Sequence, residues 1–408
     1  MSRRVFAGIN VVDFGWIGVG PITARYFADH GATVIRIESL TRFDGLRMAP
    51  PYKNATPGLN NSQFFANFNA GKLSLGLNMA TPEARAIARR LCVEWAHIVV
   101  EGFTPKQMRA WGLHYDDLAP ARPDLIMLST CQLGQTGPYA MYAGYGNMAA
   151  SLAGYYTITG WPDRGPCMVY GAYTDMLTPG VGAALLAAAL DYRRRTGKGQ
   201  WIDLSQFETG VNHIPTAILD YTVNGRIANR RGNADDRGCP HAVYRCRGDD
   251  RWVAIAVFTD EEWTGLVRAL GTPAWTQAEK FATQAGRKAH EAEIDAHIAE
   301  WTKTQDAEQV EAILQSVGVA AGVVATQSDL HQDPQLQHRG FFAWREHKVM
   351  GRSPYDGLMS HFSKTPGDVG PAPLLGEHYE AVLTGILHLS DEAIADLIAR
   401  GVVEMMLE

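Results

Sequence analysis

Strand and helix signals alternate through the first 130 residues of this 408-residue chain, and that rhythm narrows the fold more than any other feature. Asn10-Val11-Val12-Asp13-Phe14 reads as a buried strand, and Pro21 to His30 as a helix with proline in its first turn. Gly31 ends that helix, and Ala32 to Glu38 is a second strand. Leu73 to Asn78 is a third, and Thr81-Pro82-Glu83 opens a helix through Val93 with Thr81 as its cap. His97 to Glu101 and Asp124 to Ser129 are further strands. Continuously apolar strands separated by single helices predict a parallel sheet covered on both faces.

Between Leu40 and Gly71 the rhythm lapses into a long polar loop. Arg42, Arg47, Lys53 and, just beyond it, Lys72 are either solvated or placed to meet phosphates. From about Asn224 the character changes again. A Gly/Asp-rich loop from Arg230 to Gly238 precedes a strand, Arg251 to Val257, then amphipathic helices from Glu261 to Gln315 and a strand from Val319 to Val324. This predicts a large domain over residues 1–224 and a smaller one over 225–328. Residues 329–408, broken by Gly and Pro, are expected to return to the large domain.

Formal net charge is −6, spread along the chain, so nucleic acid is not an expected partner. Cys92, Cys131, Cys167, Cys239 and Cys246 form no CxxC pair, which fits a reducing cytoplasm. The 13 His residues include no HxH or HExxH pairing, so no metal site is expected. Met1-Ser2-Arg3-Arg4-Val5 leads straight toward the first strand. No apolar leader is expected, nor a run of about 18 apolar residues to span a bilayer.

Two features suggest chemistry. Gly15, Gly18 and Gly20 follow the first strand, and Glu38 ends the second, close to a dinucleotide-binding fingerprint. Thr23 at the third small position and Pro21 at the helix start both weaken that reading. The second is Asp175, where a stretch ending in Met168-Val169-Tyr170 meets a small-residue helix, Gly180 to Tyr192. On local sequence it reads first as an N-cap. Near a helix N-terminus and facing the cleft above a sheet, it is also placed to act as an ionised nucleophile.

Longer stretches decide between these. Gly8 to Asp13, Gly20-Pro21 and Ala28 to Glu38 open the pattern, followed by Asn69-Ala70-Gly71-Lys72-Leu73-Ser74 and Val99-Val100-Glu101-Gly102-Phe103-Thr104-Pro105. Leu133-Gly134-Gln135-Thr136-Gly137-Pro138-Tyr139 and Thr196 to Asp203 are the most specific stretches. Ala320 to Val324, Asp333 to Gly340 and Leu375-Gly376-Glu377-His378 complete the pattern. Together they resemble the class III CoA-transferases, the family of formyl-CoA transferase and crotonobetaine CoA-transferase, over nearly the whole chain.

The resemblance implies an α/β fold with a Rossmann-like large domain, a smaller α+β domain, and two chains interlocked as a dimer. It implies that Asp175 is the catalytic residue, carrying first an acyl group as an anhydride and then CoA as a thioester. It implies Ile17, Gly18, Lys72, Gly102, Phe103, Arg109 and Tyr145 as CoA contacts. CoA thioesters are then substrates, and no tightly bound cofactor is needed. Gly18 and Gly102 replace polar residues of the family pattern, which implies a roomier pocket. The loop from Gly232 to Gly238 resembles in position the family's active-site cover, with Asp235-Asp236-Arg237 inserted.

Related α-methylacyl-CoA racemases use a His-Asp pair where this chain reads Ala143-Gly144-Tyr145-Gly146-Asn147, so racemisation lacks its base. The segment from Pro50 to Asn67 resembles the succinyl-CoA:benzylsuccinate CoA-transferase branch. That implies succinyl-CoA as donor, a bulky aromatic acid as acceptor, and a homodimer or a heteromer with a related subunit. Tyr145, Tyr155, Tyr156, Trp161, Tyr170 and Tyr173 are the aromatics available to line an acyl pocket or to pack the fold. A non-catalytic partner subunit and a nucleotide-dependent oxidoreductase are the competing readings.

Overall fold

Six strands form one fully parallel sheet in the order β3-β2-β1-β4-β5-β6. They are β1 (Asn10–Asp13), β2 (Thr33–Glu38), β3 (Leu73–Gly76), β4 (Ile98–Glu101), β5 (Ile126–Ser129) and β6 (Gln200–Asp203). This computed structural model describes residues 4–408. Met1 to Arg3 of the N-terminal run lie outside the described residues, and Val5 to Gly8 form a turn before β1.

Both sheet faces are buried, so each strand divides its apolar side chains between two cores. Val12, Ile35, Leu75, Val99 and Met127 pack on one face with Ile87 and Leu91 of the segment after Thr81. Val11, Val34, Ile98, Val100, Ile126 and Leu128 pack on the other with Phe27 and Leu186. This two-residue alternation is the pleat itself. Thr81 caps the helix Pro82–Arg90 through the Ala84 N–H, as its sequence predicts.

Three elements differ from expectation. The stretch from Leu40 to Gly71 is not one open loop. It holds two short 3₁₀ turns and a helix, Gln63–Phe68, capped by Ser62. Strand β6 is an edge strand, half-buried at Trp201 and Ile202, and its short polar-flanked run carries little apolar signal. The helix expected from Gly180 begins at Tyr173 and runs to Thr196. Pro179 and Gly180 do not start it; Pro179 lies inside the helix and removes the N–H that would bond to the Asp175 carbonyl.

By length and composition that helix is also able to cross a bilayer, although it is no unbroken apolar run, since Asp175 and Asp191 interrupt it. Here Thr174, Asp175, Thr178, Gly182 and Leu186 are buried on its inner face. A Cβ on Gly182 would meet Thr23 Oγ1 at 3.0 Å, so the helix lies close against the helix Val19–Asp29.

Residues through Thr157, Cys167–Ala228 and Gln335–Glu408 form one compact unit. The C-terminal part adds a hairpin, β10 (Phe342–His347) and β11 (Gly351–Asp356), and places Val382, Leu383, Leu387 and Val403 in the core beside Leu77. The second unit holds Ile158–Pro166 and Asn229–Pro334. In it β7 (His241–Arg245), β8 (Trp252–Ala256) and β9 (Ala320–Val323) form an antiparallel sheet. Tyr244, Ile255, Trp263, Phe281, Ile298 and Leu314 build its core.

Candidate active site

The sheet order reverses between β1 and β4. Chain leaving these neighbours turns to opposite sides, and a crevice opens at their carboxyl ends. Phe14 to Gly18 follow β1, Gly102 and Phe103 follow β4, and Thr130 to Gln132 follow β5. These three loops, with the segment from Tyr142 to Tyr145, line a cavity of about 490 Å³ that contains Asp175 and Gln206. A second cavity of about 650 Å³ lies over Glu38, Arg42, Asn78 and Trp111. Trp16, Phe103 and Gln107 line both.

A buried charge network shapes the loop after β1. Asp13 Oδ1 accepts the Gly15 N–H at 2.8 Å, and Arg36 donates to the Gly15 carbonyl at 2.7 Å. Asp44, itself paired with Arg36 at 2.6 Å, accepts the Ile17 N–H at 3.0 Å. Ile17 has φ +62°, a left-handed conformation that costs a β-branched residue of order 1–3 kcal/mol. It persists because its N–H and its neighbours are held by these buried charges. Ile17 and Gly18 both line the 490 Å³ cavity.

Lys72 belongs to this network rather than to a cavity wall. Its ammonium donates to Asp13 Oδ2 (2.8 Å), Pro21 O (2.9 Å) and Asn69 Oδ1 (2.8 Å), and its side chain is fully buried. All three of its donors are thus used inside the protein, and burial pushes its pKa down to about 8. Arg47 is likewise buried, pairing with both oxygens of Glu38 at 2.7 Å and lying over the Phe65 ring. Despite the desolvation, Arg47 and Arg36 hold Glu38 down to about 2. That carboxylate, the ribose-binding candidate of the dinucleotide reading, is already taken. Of the four basic residues noted in and just beyond the polar loop, only Arg42 lines the 650 Å³ cavity.

Asp175 is the third residue of the helix Tyr173–Thr196, not its N-cap. Ala172 holds the cap position and offers no side-chain acceptor. The Asp175 carboxylate instead turns toward the cavity, is 4% exposed, and accepts the Gly146 N–H at 3.3 Å. Burial pushes its pKa up to about 6, opposed by the Gly146 N–H and by a hydrogen bond from Gln206. Two glycines make room for it. A Cβ on Gly146 would lie 2.7 Å from Asp175 Cγ, and one on Gly18 would lie 3.0 Å from Asp175 Cβ.

The loop after β4 is anchored by Glu101. Its Oε2 accepts the Phe103 N–H at 2.7 Å and its Oε1 accepts from Gln135 Nε2 at 3.3 Å. Burial pushes this carboxyl up to about 7. Phe103 stands edge-on to Trp16 and Trp111, with ring centroids 5.6 and 5.5 Å apart. Gly102 lines the cavity beside Thr130. Tyr145 lines its rim and is 60% exposed.

The structure therefore brings together Ile17, Gly18, Gly102, Phe103, Tyr145 and Asp175. It does not bring Lys72, for the reason above, or Arg109. Arg109 lines neither cavity, and its exposed guanidinium reaches Asp116 at 3.3 Å. Gln132, Gln206 and Thr130 also face the site, and none stood out in the sequence, where neutral polar residues after a strand have no signature. Gln206 comes three residues after the motif ending at Asp203, which is the one available hint. Of the aromatics preceding Asp175, Tyr145 lines the cavity, while Tyr155 packs edge-on to Tyr173 and Tyr170 is fully exposed. Among the described residues, no Lys, Arg or His lines the 490 Å³ cavity, and no group of His, Cys, Asp and Glu is arranged to hold a metal.

Comparison with known proteins agrees with this geometry. The family model described as CoA-transferase family III matches residues 6–379. A succinyl-CoA–D-citramalate CoA-transferase of Chloroflexus aurantiacus is 31% identical over 98% of this chain and 98% of its own length. A succinate–glutarate CoA-transferase of Agrobacterium fabrum is 31% identical over 92% of this chain and 94% of its own. Among solved structures, a CAIB/BAIF family protein from Brucella suis superposes with a TM-score of 0.86 at 31% identity, covering 94% of this chain and 99% of that one. With a family match across most of its length, a parallel-sheet fold shared with its relatives and a cavity at the switch point of that sheet, the chain belongs to the family III CoA-transferases.

Proposed function

We propose that this enzyme moves CoA from succinyl-CoA to a short dicarboxylic acid through intermediates carried on Asp175. The observation that carries the reading is the Asp175 carboxylate, nearly buried in a cavity at the carboxyl ends of the strands and bonded to a backbone N–H. With a pKa of about 6 it is mostly ionised at neutral pH yet poorly hydrated, the state a carboxylate nucleophile needs.

Each step exchanges one activated acyl bond for another. An Asp175 oxygen attacks the thioester carbonyl, the C–S bond breaks, and CoA leaves as thiolate. The thiolate attacks Asp175 Cγ, releasing the donor acid as carboxylate and leaving an aspartyl-CoA thioester. The acceptor carboxylate attacks Cγ and expels the thiolate again. A final thiolate attack on the acceptor's carbonyl forms the new thioester and restores the Asp175 carboxylate. Charge and atoms balance at every step, so no ATP is required. Oxyanions form at each attack, and the Gly146 N–H is the donor placed beside Asp175 Cγ.

The 650 Å³ cavity, with Arg42 and the Trp16–Phe103–Trp111 aromatic group, suits the nucleotide end of CoA. The pantetheine arm then passes the residues common to both cavities. Succinyl-CoA as donor and a dicarboxylate acceptor follow the names of the two relatives. Of the six aromatics noted before Asp175 only Tyr145 lines the cavity, but Trp16, Phe43, Phe103 and Tyr142 line it too, so an aromatic acceptor such as benzylsuccinate is the second reading. Racemisation lacks a base other than Asp175 itself, since no His faces the site among the described residues.

A second chain, identical or related, is part of the same proposal. Leu219, Tyr221 and Val223 on the helix Pro215–Asn224 are 58%, 60% and 77% exposed, an apolar surface suited to the interlocked pairing of the family. The five free cysteines fit a cytoplasmic location. The test is to incubate purified protein with succinyl-CoA and a panel of free acids, and to follow new CoA thioesters by chromatography. Transfer to dicarboxylates supports the reading; hydrolysis alone, or no reaction, contradicts it.

A further inference from the structure

Gln132 is buried in the wall of the Asp175 cavity, 5% exposed, and its side-chain oxygen has no hydrogen-bond partner. A buried acceptor left without a donor is destabilising. Its backbone, in contrast, is fixed, because the Gln132 carbonyl accepts the Phe207 N–H at 2.9 Å. The side chain thus starts from a fixed backbone and faces a ligand cavity, and its amide oxygen is left unpartnered by the protein; a half-turn about the last side-chain torsion puts the amide N–H in that same place.

The segment Gly144-Tyr145-Gly146 locates it relative to Asp175. Tyr145 has extended backbone, φ −119° and ψ 171°. In extended chain, positions two apart point to the same side and lie roughly 6–7 Å apart. A Cβ on Gly144 would overlap the Gln132 amide, and a Cβ on Gly146 would overlap the Asp175 carboxylate. Gln132 and Asp175 therefore lie on the same face of this segment, about one pleat period apart. Both positions are glycine because these two side chains occupy that face.

We propose that the side-chain amide of Gln132 binds the distal carboxyl group of a short dicarboxylic acid whose other carboxyl reacts at Asp175. This rests on Asp175 being the nucleophile. Two methylenes separate the carboxyl carbons of a succinyl group by about 4 Å, and an aspartyl anhydride linkage and a hydrogen bond span the rest of the gap. The amide donates N–H to the distal carboxylate, and a half-turn of the same group offers its oxygen to a hydroxyl on the acid. With no cation in the cavity wall among the described residues, the distal carboxylate is left to neutral donors, and Gln132 is the one among them with an unpartnered buried amide atom.

Isotope exchange tests this without knowledge of the natural acceptor. Succinyl-CoA with ¹³C-succinate, and butyryl-CoA with ¹³C-butyrate, use acyl groups of equal length with and without the distal carboxyl. The wild type is expected to prefer the succinyl pair. Gln132→Met should lower the succinyl-to-butyryl ratio of kcat/KM at least tenfold. Gln132→Glu, which places a like charge against the distal carboxylate, should lower it further. Because the readout is a ratio within one preparation, partial loss of fold does not mimic it. A ratio unchanged within twofold in both variants overturns the role of Gln132 and leaves the transferase reading standing. Absence of exchange by the wild type overturns that reading and this inference with it.

Discussion

The Gly146 N–H donates to Asp175 Oδ2 at 3.3 Å, and the missing side chain of Gly146 is what lets the carboxylate come that close. A methyl group there would lie 2.7 Å from Asp175 Cγ, well inside van der Waals contact. Gly146→Ala should therefore displace the carboxylate, cutting kcat by about a hundredfold or more, as loss of an oxyanion donor does elsewhere. Circular dichroism should show the fold retained. Near-normal kcat in a folded Gly146→Ala protein would remove this N–H from the mechanism.

Asp175 should cost the protein stability. Its carboxyl keeps a proton up to about pH 6 in the folded state, against 3.8 when unfolded. Below pH 3.8 the group contributes its full stability; that contribution falls as pH rises and is lost above about 6. At pH 8 the loss is at most about 3 kcal/mol. Asp175→Asn, which cannot ionise, should abolish transfer and yet melt several degrees above the wild type at pH 8. The gap should shrink at pH 5. A variant that melts lower at pH 8 would show that the buried carboxylate is not a source of strain.

The same displaced pKa shapes the rate. Only the ionised carboxylate attacks, so kcat/KM should fall as pH drops through about 6, approaching tenfold per pH unit below it. A pH–rate profile with a saturating acyl acceptor checks this. An acid limb near 4 would mean that the site hydrates Asp175 in the working enzyme.

Lys72 should prove to be a structural residue. Lys72→Met leaves Asp13 without its ammonium inside a fully buried network, a loss of about 3–5 kcal/mol. Thermal melting should drop markedly. Any rise in the KM for acyl-CoA would follow from the loosened loop from Gly15 to Gly18. An unchanged melting temperature with a large rise in KM would instead restore Lys72 as a direct CoA contact.

Much of this was legible in the sequence where the signal is local. Apolar strands such as Val11-Val12 and Ile98 to Val100 are buried on both faces and read as strands without help. Thr81 announces its helix because capping is decided within four residues. Asp175 and Gly18 were found through motifs, and the structure places them side by side. What the sequence did not show depends on partners far along the chain. Lys72 looks like a loop cation until Asp13, 59 residues away, takes its charge. Arg109 is a CoA contact by resemblance alone, and its guanidinium lies at Asp116, outside both cavities. Gln132 and Gln206 carry no pattern at all, and only the cavity gives them meaning. The early start of the helix at Tyr173 was hidden by Pro179 and Gly180, which suggest a break that the preceding turn overrides.

The central claim is that Asp175 carries the acyl group and then CoA. The direct measurement is mass spectrometry of the peptide containing Asp175 after incubation of the enzyme with succinyl-CoA, with and without hydroxylamine. The account predicts a CoA or succinyl adduct on that peptide, converted by hydroxylamine to a hydroxamate at Asp175 and absent from Asp175→Asn. Turnover with an unmodified Asp175 peptide, or an adduct on another residue, would contradict it.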